Sequence, residues 1–282
     1  MSIIEAIILG IIQGLSEFIP ISSTAHLTIA GKFMGLIGTE NPEHWTAFIA
    51  TIQLGTLAAV LFYFSREIID IPVAFFKENV LGSRKKYSEQ SLNSRLGWMI
   101  IIATVPIVVA GMALKKVIEG GITKDLSVIG FSLIGLAIIL AIAEKTAQFR
   151  KDTENLTLKD ALLVGLAQCL SLVPGASRSG TTITAGLFLG IKRDTAARFS
   201  FLISIPAIFA SGILEFVQSL EYLDAGDMVN LIAATAAAAV SGYYSVVFLI
   251  RFLKSKSTMV FVVYRILLGI FILFAVYTKL VS

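Results

Sequence analysis

Apolar residues run in long stretches along this chain, and polar residues collect in the breaks between them. Crossing ~30 Å of hydrocarbon takes about 20 helical residues, and six stretches qualify: Trp45–Phe64, Leu96–Leu114, Leu126–Ala143, Phe199–Val217, Met228–Phe252 and Met259–Tyr277. Each predicts a membrane-spanning helix. Four further stretches are too short to cross and come as two pairs, Ile3–Leu15 with Leu27–Leu36 and Ala161–Leu172 with Thr182–Ile191. The segments between the partners, FIPISSTAH and VPGASRSGT, are polar and broken by Pro or Gly. Such backbone is tolerated at membrane depth only when buried in protein or lining a wet cavity. Each pair therefore predicts a re-entrant helical hairpin, over residues 3–36 and 161–191. The amphipathic stretch Ile68–Phe76 predicts a helix lying in the membrane interface.

The two hairpins resemble each other. At an ungapped offset of 155, Gly10–Gly31 overlays Gly165–Gly186 with seven of 22 positions identical, among them Gly10/Gly165, Gln13/Gln168, Ser16/Ser171 and Ser22/Ser177. Polar residues coincide as well as apolar ones, which points to an internal duplication. Each copy holds one hairpin, which crosses nothing, and three spans. An odd number of crossings delivers the second copy upside down, so the expected fold is an all-α integral membrane protein with an inverted-topology repeat, residues 1–145 and 146–282.

Composition removes the soluble alternatives. Of 282 residues, 56 % are apolar and only 15 % charged, with a mean hydropathy of +0.85; a soluble domain carries about 25 % charge. The lone Cys169 and two histidines exclude an internal disulfide and a tetrahedral zinc site. A net charge of +4 reflects basic loops rather than a nucleic-acid partner. The first apolar stretch carries Glu5, Gln13 and Glu17, unlike a cleaved signal peptide. Traced through the predicted topology, sixteen Lys and Arg fall on one face and five on the other. The basic face is expected to be cytoplasmic, which puts both termini and the entrance of the first hairpin outside.

Ionisable groups inside membrane segments are costly and mark function. The first hairpin holds Gln13, Glu17, Ser22, Ser23 and His26 within fourteen residues. Gln13 and Glu17 share a helix face, and Ser23 lies three residues before His26, so hydroxyl and imidazole are expected to meet across one turn. The second hairpin supplies Arg178, a donor fork suited to phosphate, with hydroxyls from Ser177, Ser179, Thr181 and Thr182. A helix resuming near Thr182 would aim free N–H groups at an anion, with Gly180 letting the backbone approach it. Gln53, in mid-span, either lines the same cavity or bonds a neighbouring helix. Arg265, inside the last span, is expected to snorkel or to pair with a carboxylate. Two familiar phosphatase patterns are missing. Eight residues separate Cys169 from Arg178 instead of five, and Thr184 stands where a lipid-phosphatase histidine would follow the SR dipeptide. Cys169 is therefore read as packing.

QGLSEFIPISSTAH and PGASRSGTT resemble the two signature regions of undecaprenyl-diphosphate phosphatases of the bacitracin-resistance type, and the likeness extends through Phe48–Val60 and Phe199–Ala207. Gln13 and Glu17 match the family's E/Q-x-x-x-E element, with Gln at the first position. By the same match Ser23, His26, Ser177, Arg178 and Thr182 take the family's catalytic and phosphate-binding places. The resemblance implies a hydrolase of the C55 isoprenoid diphosphate that recycles the cell-wall lipid carrier in the bacterial inner membrane. Its site would open to the outer, periplasmic side. It implies dependence on a divalent cation, Mg2+ or Ca2+, with Glu17 as a candidate ligand. Expected partners are the polyprenyl diphosphate and membrane lipid, and a homodimer stays open. Ser23 as nucleophile with His26 as its base, oriented by Glu17, competes with His26 as nucleophile. Inverted repeats also occur in secondary transporters and lipid flippases, so a carrier is the alternative reading.

Overall fold

The computed structural model describes residues 1–37, 42–82, 84–220 and 225–280, and among them every regular element is a helix. In chain order these are α1 (Ile3–Glu17), α2 (Ser23–Phe33), α3 (Pro42–Tyr63), α4 (Ser65–Phe76), α5 (Leu92–Ala113), α6 (Lys115–Glu119), α7 (Leu126–Thr146), α8 (Leu158–Gln168), α9 (Arg178–Phe188), α10 (Arg193–Ser219), α11 (Ala225–Leu253) and α12 (Met259–Tyr277). Six of them, α3, α5, α7, α10, α11 and α12, are long and apolar enough to cross a membrane. The chain is a multi-pass membrane protein. Its outward side chains include Phe62, Phe131, Leu267 and Phe274, an apolar surface suited to lipid.

Helix α10 starts six residues before the apolar stretch that predicts it. Its polar first turns are tied down from neighbouring elements: Arg193 Nη2 reaches Glu144 Oε1 at 2.6 Å, and Arg198 Nη2 reaches Glu67 Oε1 at 2.5 Å. Glu144 also accepts from the hydroxyls of Ser257 (2.5 Å) and Thr258 (2.8 Å), so one carboxylate gathers α7, α10 and the start of α12. Hydropathy cannot register helical turns that are held by ion pairs.

The four short helices keep a common register. α2 and α9 are eleven residues each and start 155 positions apart. α1 maps at the same offset onto α8 plus the 3-10 turn Cys169–Leu172. Both helices open on a capping box, Ser2 with Glu5 and Thr157 with Asp160. α1 lies chiefly against α11, and α8 against α5. These contacts are close because the facing residues are small. A Cβ on Gly10 would come within 2.1 Å of the Ala234 carbonyl oxygen, and one on Gly165 within 2.4 Å of that of Ala103. Helices in lipid associate through such backbone-to-backbone packing.

Candidate active site

Both hairpins bend at a serine with left-handed backbone. Ser22 has φ 76° and Ser177 φ 67°, and each caps the helix that follows. Ser22 Oγ accepts from the Ala25 N–H at 3.3 Å, and Ser177 Oγ from the Gly180 N–H at 3.2 Å. A non-glycine residue held in this region costs about 1–3 kcal/mol and persists where its surroundings fix it. The chain accepts that strain at the same register position twice.

The strained turns bring two side-chain sets onto one carboxylate. Glu17, at the end of α1, accepts at Oε2 from Gln13 Nε2 (2.9 Å) and from Ser23 Oγ (2.8 Å). Its Oε1 lies 3.6 Å from Arg178 Nη1 of the other hairpin. The Glu17 side chain is only 5 % exposed and that of Arg178 is 21 %, so the guanidinium is the more accessible partner. Phe18, stacked edge-on against Phe201 at 5.1 Å, anchors the backbone beside Glu17.

His26 takes a different partner from the one its spacing suggests. Its Nδ1 lies 2.7 Å from the Ser22 carbonyl oxygen and its Nε2 lies 2.6 Å from the Tyr264 hydroxyl on α12. A carbonyl only accepts, so in the neutral ring Nδ1 carries the proton and Nε2 accepts from the phenol. The Ser23 hydroxyl is engaged by Glu17 and the imidazole by its own helix start. The expected hydroxyl–imidazole contact is replaced by a hydroxyl–carboxylate contact.

On the second tip, Ser177 and Ser179 hydroxyls lie 3.2 Å apart. Thr181 and Thr182 donate to the Arg178 carbonyl (3.0 and 2.8 Å), and Thr182 meets Ser200 of α10 at 2.6 Å. These threonines brace the first turn of α9 rather than extend from it. Ser177 also takes the N–H groups of Gly180 and Thr181, leaving those of Arg178 and Ser179 as the first-turn donors without an intrahelical acceptor. Gly180 has a different use from the expected one. A Cβ there would fall 2.6 Å from Arg265 Nη1, so the glycine makes room for a guanidinium. Arg265 neither snorkels nor meets a carboxylate; it is fully buried and donates to the carbonyls of Ala176 (3.0 Å) and Gly175 (3.4 Å). Gln53 is half-buried on α3, and among the described residues its side chain makes no hydrogen bond with this group. Cys169 donates to the Gly165 carbonyl at 3.7 Å and takes no part in the cluster.

Two buried polar atoms here have no hydrogen-bond partner in the protein, Gln13 Oε1 and Arg178 Nη1. Buried polar atoms are normally satisfied, so the site offers acceptors and donors to a polar ligand. For a divalent cation the donor set is short. Among the described residues no three His, Cys, Asp or Glu come together. Glu17 contributes one carboxylate, and the unpartnered Gln13 Oε1 is a second hard oxygen one helical turn away. That set fits a cation of the kind carried largely by substrate phosphates, not a closed protein cage. Sequence reasoning missed Tyr264, Ser200 and the destination of Arg265. The only available signal was an arginine inside an apolar span.

A family model described as the bacitracin resistance protein BacA matches residues 6–271. An undecaprenyl-diphosphatase of Syntrophobacter fumaroxidans is 56 % identical over 269 residues, covering 95 % of each chain. Another, from Chloroherpeton thalassium, is 49 % identical over 282 residues, covering 97 % of this chain and 96 % of its own. One from Myxococcus xanthus is 45 % identical over 282 residues, covering all of this chain and 92 % of its own.

Proposed function

The chain belongs to the family of the bacitracin resistance protein BacA, and from that premise we propose that it hydrolyses undecaprenyl diphosphate to undecaprenyl phosphate and phosphate. The observation that carries the chemistry is the single Glu17 carboxylate that holds the Ser23 hydroxyl on one side and faces Arg178 on the other. Ser23 Oγ attacks the terminal phosphorus while the bond to the bridging oxygen breaks and undecaprenyl phosphate leaves. The hydroxyl proton passes to Glu17 Oε2, 2.8 Å away. Arg178 and the first-turn N–H groups of α9 stabilise the charge on the transferring phosphoryl group. The proton on Glu17 passes to the departing undecaprenyl phosphate; water then attacks the phosphoserine, giving its proton to the restored Glu17 carboxylate, which returns it to Ser23 Oγ as phosphate leaves. Glu17 and Gln13 are the residues that would hold a divalent cation, which when bound screens the diphosphate charge. Ser177 and Ser179 line the phosphate end, Ser22 and Ser177 cap the two helix starts, and Thr182 braces the first turn of α9. A hydroxyl held by a carboxylate serves phosphoryl transfer and has little use in a carrier, which favours the enzyme over the transporter.

The two short helix pairs act as re-entrant hairpins of an inverted repeat. The shared register at offset 155 supports this, as does an exchange of packing partners: α1 on α11 matches α8 on α5, while α3 meets α10 and α7 meets α12. Each hairpin thus lies chiefly against a span of the other half, so residues 1–145 and 146–282 interleave. The protein is read as a bacterial inner-membrane enzyme with its site open to the outer side, an orientation that the excess of basic residues on one predicted face supports.

The test is phosphate release from undecaprenyl or farnesyl diphosphate by purified protein, followed by acid quench during turnover. Phosphoserine at Ser23 is expected. Phosphohistidine at His26, or full turnover by Ser23→Ala, would overturn the mechanism.

A further inference from the structure

We propose that Tyr264 and Arg265, neighbours on α12, are positioning residues that hold the two hairpin tips in register for the reaction; the proposal rests on the phosphatase reading above. Successive helical residues project about 100° apart. One of this pair reaches the first tip and the other the second.

Arg265 is 0 % exposed, and among the described residues no carboxylate lies within ion-pair distance of it. A buried, unpaired guanidinium is costly to keep in a membrane segment, so its contacts indicate its use. Nη2 holds the Gly175 and Ala176 carbonyls, the turn that leads into Ser177 and Arg178. The C=O and N–H of a trans peptide point opposite ways, so fixing the Ala176 carbonyl on α12 turns the Ser177 N–H away from α12. Gly180, one turn further on, is bare of a side chain where Nη1 passes. Arg265 therefore sets the backbone that presents Arg178.

Tyr264 acts on the other tip. Its hydroxyl is 2.6 Å from His26 Nε2, and the two rings lie parallel within 5° at 5.7 Å. With Nδ1 on the Ser22 carbonyl, both ring nitrogens are engaged and the imidazole plane is fixed. The same strained serine that opens α2 is thereby tied, through His26, to α12.

Purified wild-type protein is compared with Tyr264→Phe, Arg265→Gln, Arg265→Lys and Gly180→Ala, using farnesyl diphosphate, with Leu267→Ala on the lipid-facing side of α12 as control. Loss of one such hydrogen bond corresponds to about tenfold. Tyr264→Phe is expected to lower kcat by about that factor with KM held, and Arg265→Gln to raise KM by at least that factor, with Lys recovering part of it. Gly180→Ala displaces the guanidinium without removing its charge and should give the same KM-weighted change if Arg265→Gln fails to fold. The chain has only two histidines, so 15N-histidine spectra read the ring directly. Wild-type His26 should show the Nδ1–H form, and its Nε2 resonance should move in Tyr264→Phe while His44 stays. Wild-type kcat with an unmoved Nε2 resonance in Tyr264→Phe, or an unchanged KM in both Arg265→Gln and Gly180→Ala, would overturn the proposal. Absence of phosphate release from the wild type would instead sink the phosphatase reading, and the histidine spectra would still decide the Tyr264 contact.

Discussion

The two hairpin tips share a backbone and differ in charge. Ser22 and Ser177 bend the same way, α2 and α9 start in the same register, and both pairs end on a glycine of positive φ, Gly35 at 67° and Gly190 at 76°. At three positions of that common frame the side chains diverge: Glu17 stands where the second tip has Leu172, Ser23 where it has Arg178, and His26 where it has Thr181. One tip carries the acid and the hydroxyl, the other the guanidinium. A shared backbone frame thus supplies placement, and the side chains on it set the two tips apart. Neither tip is a site alone, because the Glu17–Arg178 pairing crosses between them.

Breaking the chemical half of the comparison gives the largest effect. Ser23→Ala removes the proposed nucleophile and should cost roughly 10⁴–10⁶ in kcat. Glu17→Gln keeps the shape but loses the proton acceptor, for roughly 10²–10⁴. Steady-state phosphate release checks both. A Glu17→Gln enzyme within a few-fold of wild type would show that another group takes the Ser23 proton. Arg178→Ala follows, at about 3–4 kcal/mol of transition-state stabilisation by analogy with oxyanion donors. That loss reads as a fall in kcat/KM, and a near-normal value would remove the cradle from the mechanism.

The scaffold half predicts a smaller and symmetric response. Gly10→Ala and Gly165→Ala each drive a Cβ into a facing backbone carbonyl, and overpacking of this kind costs about 1–3 kcal/mol. Thermal unfolding in detergent should show similar losses for the two. A loss at one site with none at the other would mean that the halves are not packed alike.

Much of this arrangement was legible in the chain. The six spans followed from apolar length, and the four short helices from short apolar stretches broken at Pro20 and at Pro174–Gly175. The 155-residue offset pairs Ser22 with Ser177, and the backbone of both has positive φ, which no spacing announces. What spacing could not supply was the choice among nearby partners. Ser23 is three residues from His26 and six from Glu17, and it bonds to Glu17 because the Ser22 carbonyl takes the imidazole. The use of Arg265 and the reason for Gly180 depend on residues some 85 to 90 positions apart. No local pattern reports a contact of that range.

The smallest expected effect separates the hairpin bases. Glu5 caps α1 on an exposed surface, whereas Asp160 caps α8 buried and gripped by Lys151 Nζ at 2.8 and 3.0 Å. Burial alone would push the Asp160 carboxyl up, but hydrogen bonds from Lys151 and Thr157 outweigh it and hold the group below its ordinary range. A carboxyl lowered in the folded state adds stability that is complete above its unfolded pKa of about 3.9 and is lost as pH falls through the folded value. Asp160→Asn should therefore lower Tm modestly at neutral pH and flatten its decline on acidification. Glu5→Gln, at an exposed cap screened by solvent, should change that profile less. If the two substitutions flatten the acid limb equally, the Lys151 contact adds nothing, and the two hairpin bases are equivalent in energy as well as in register.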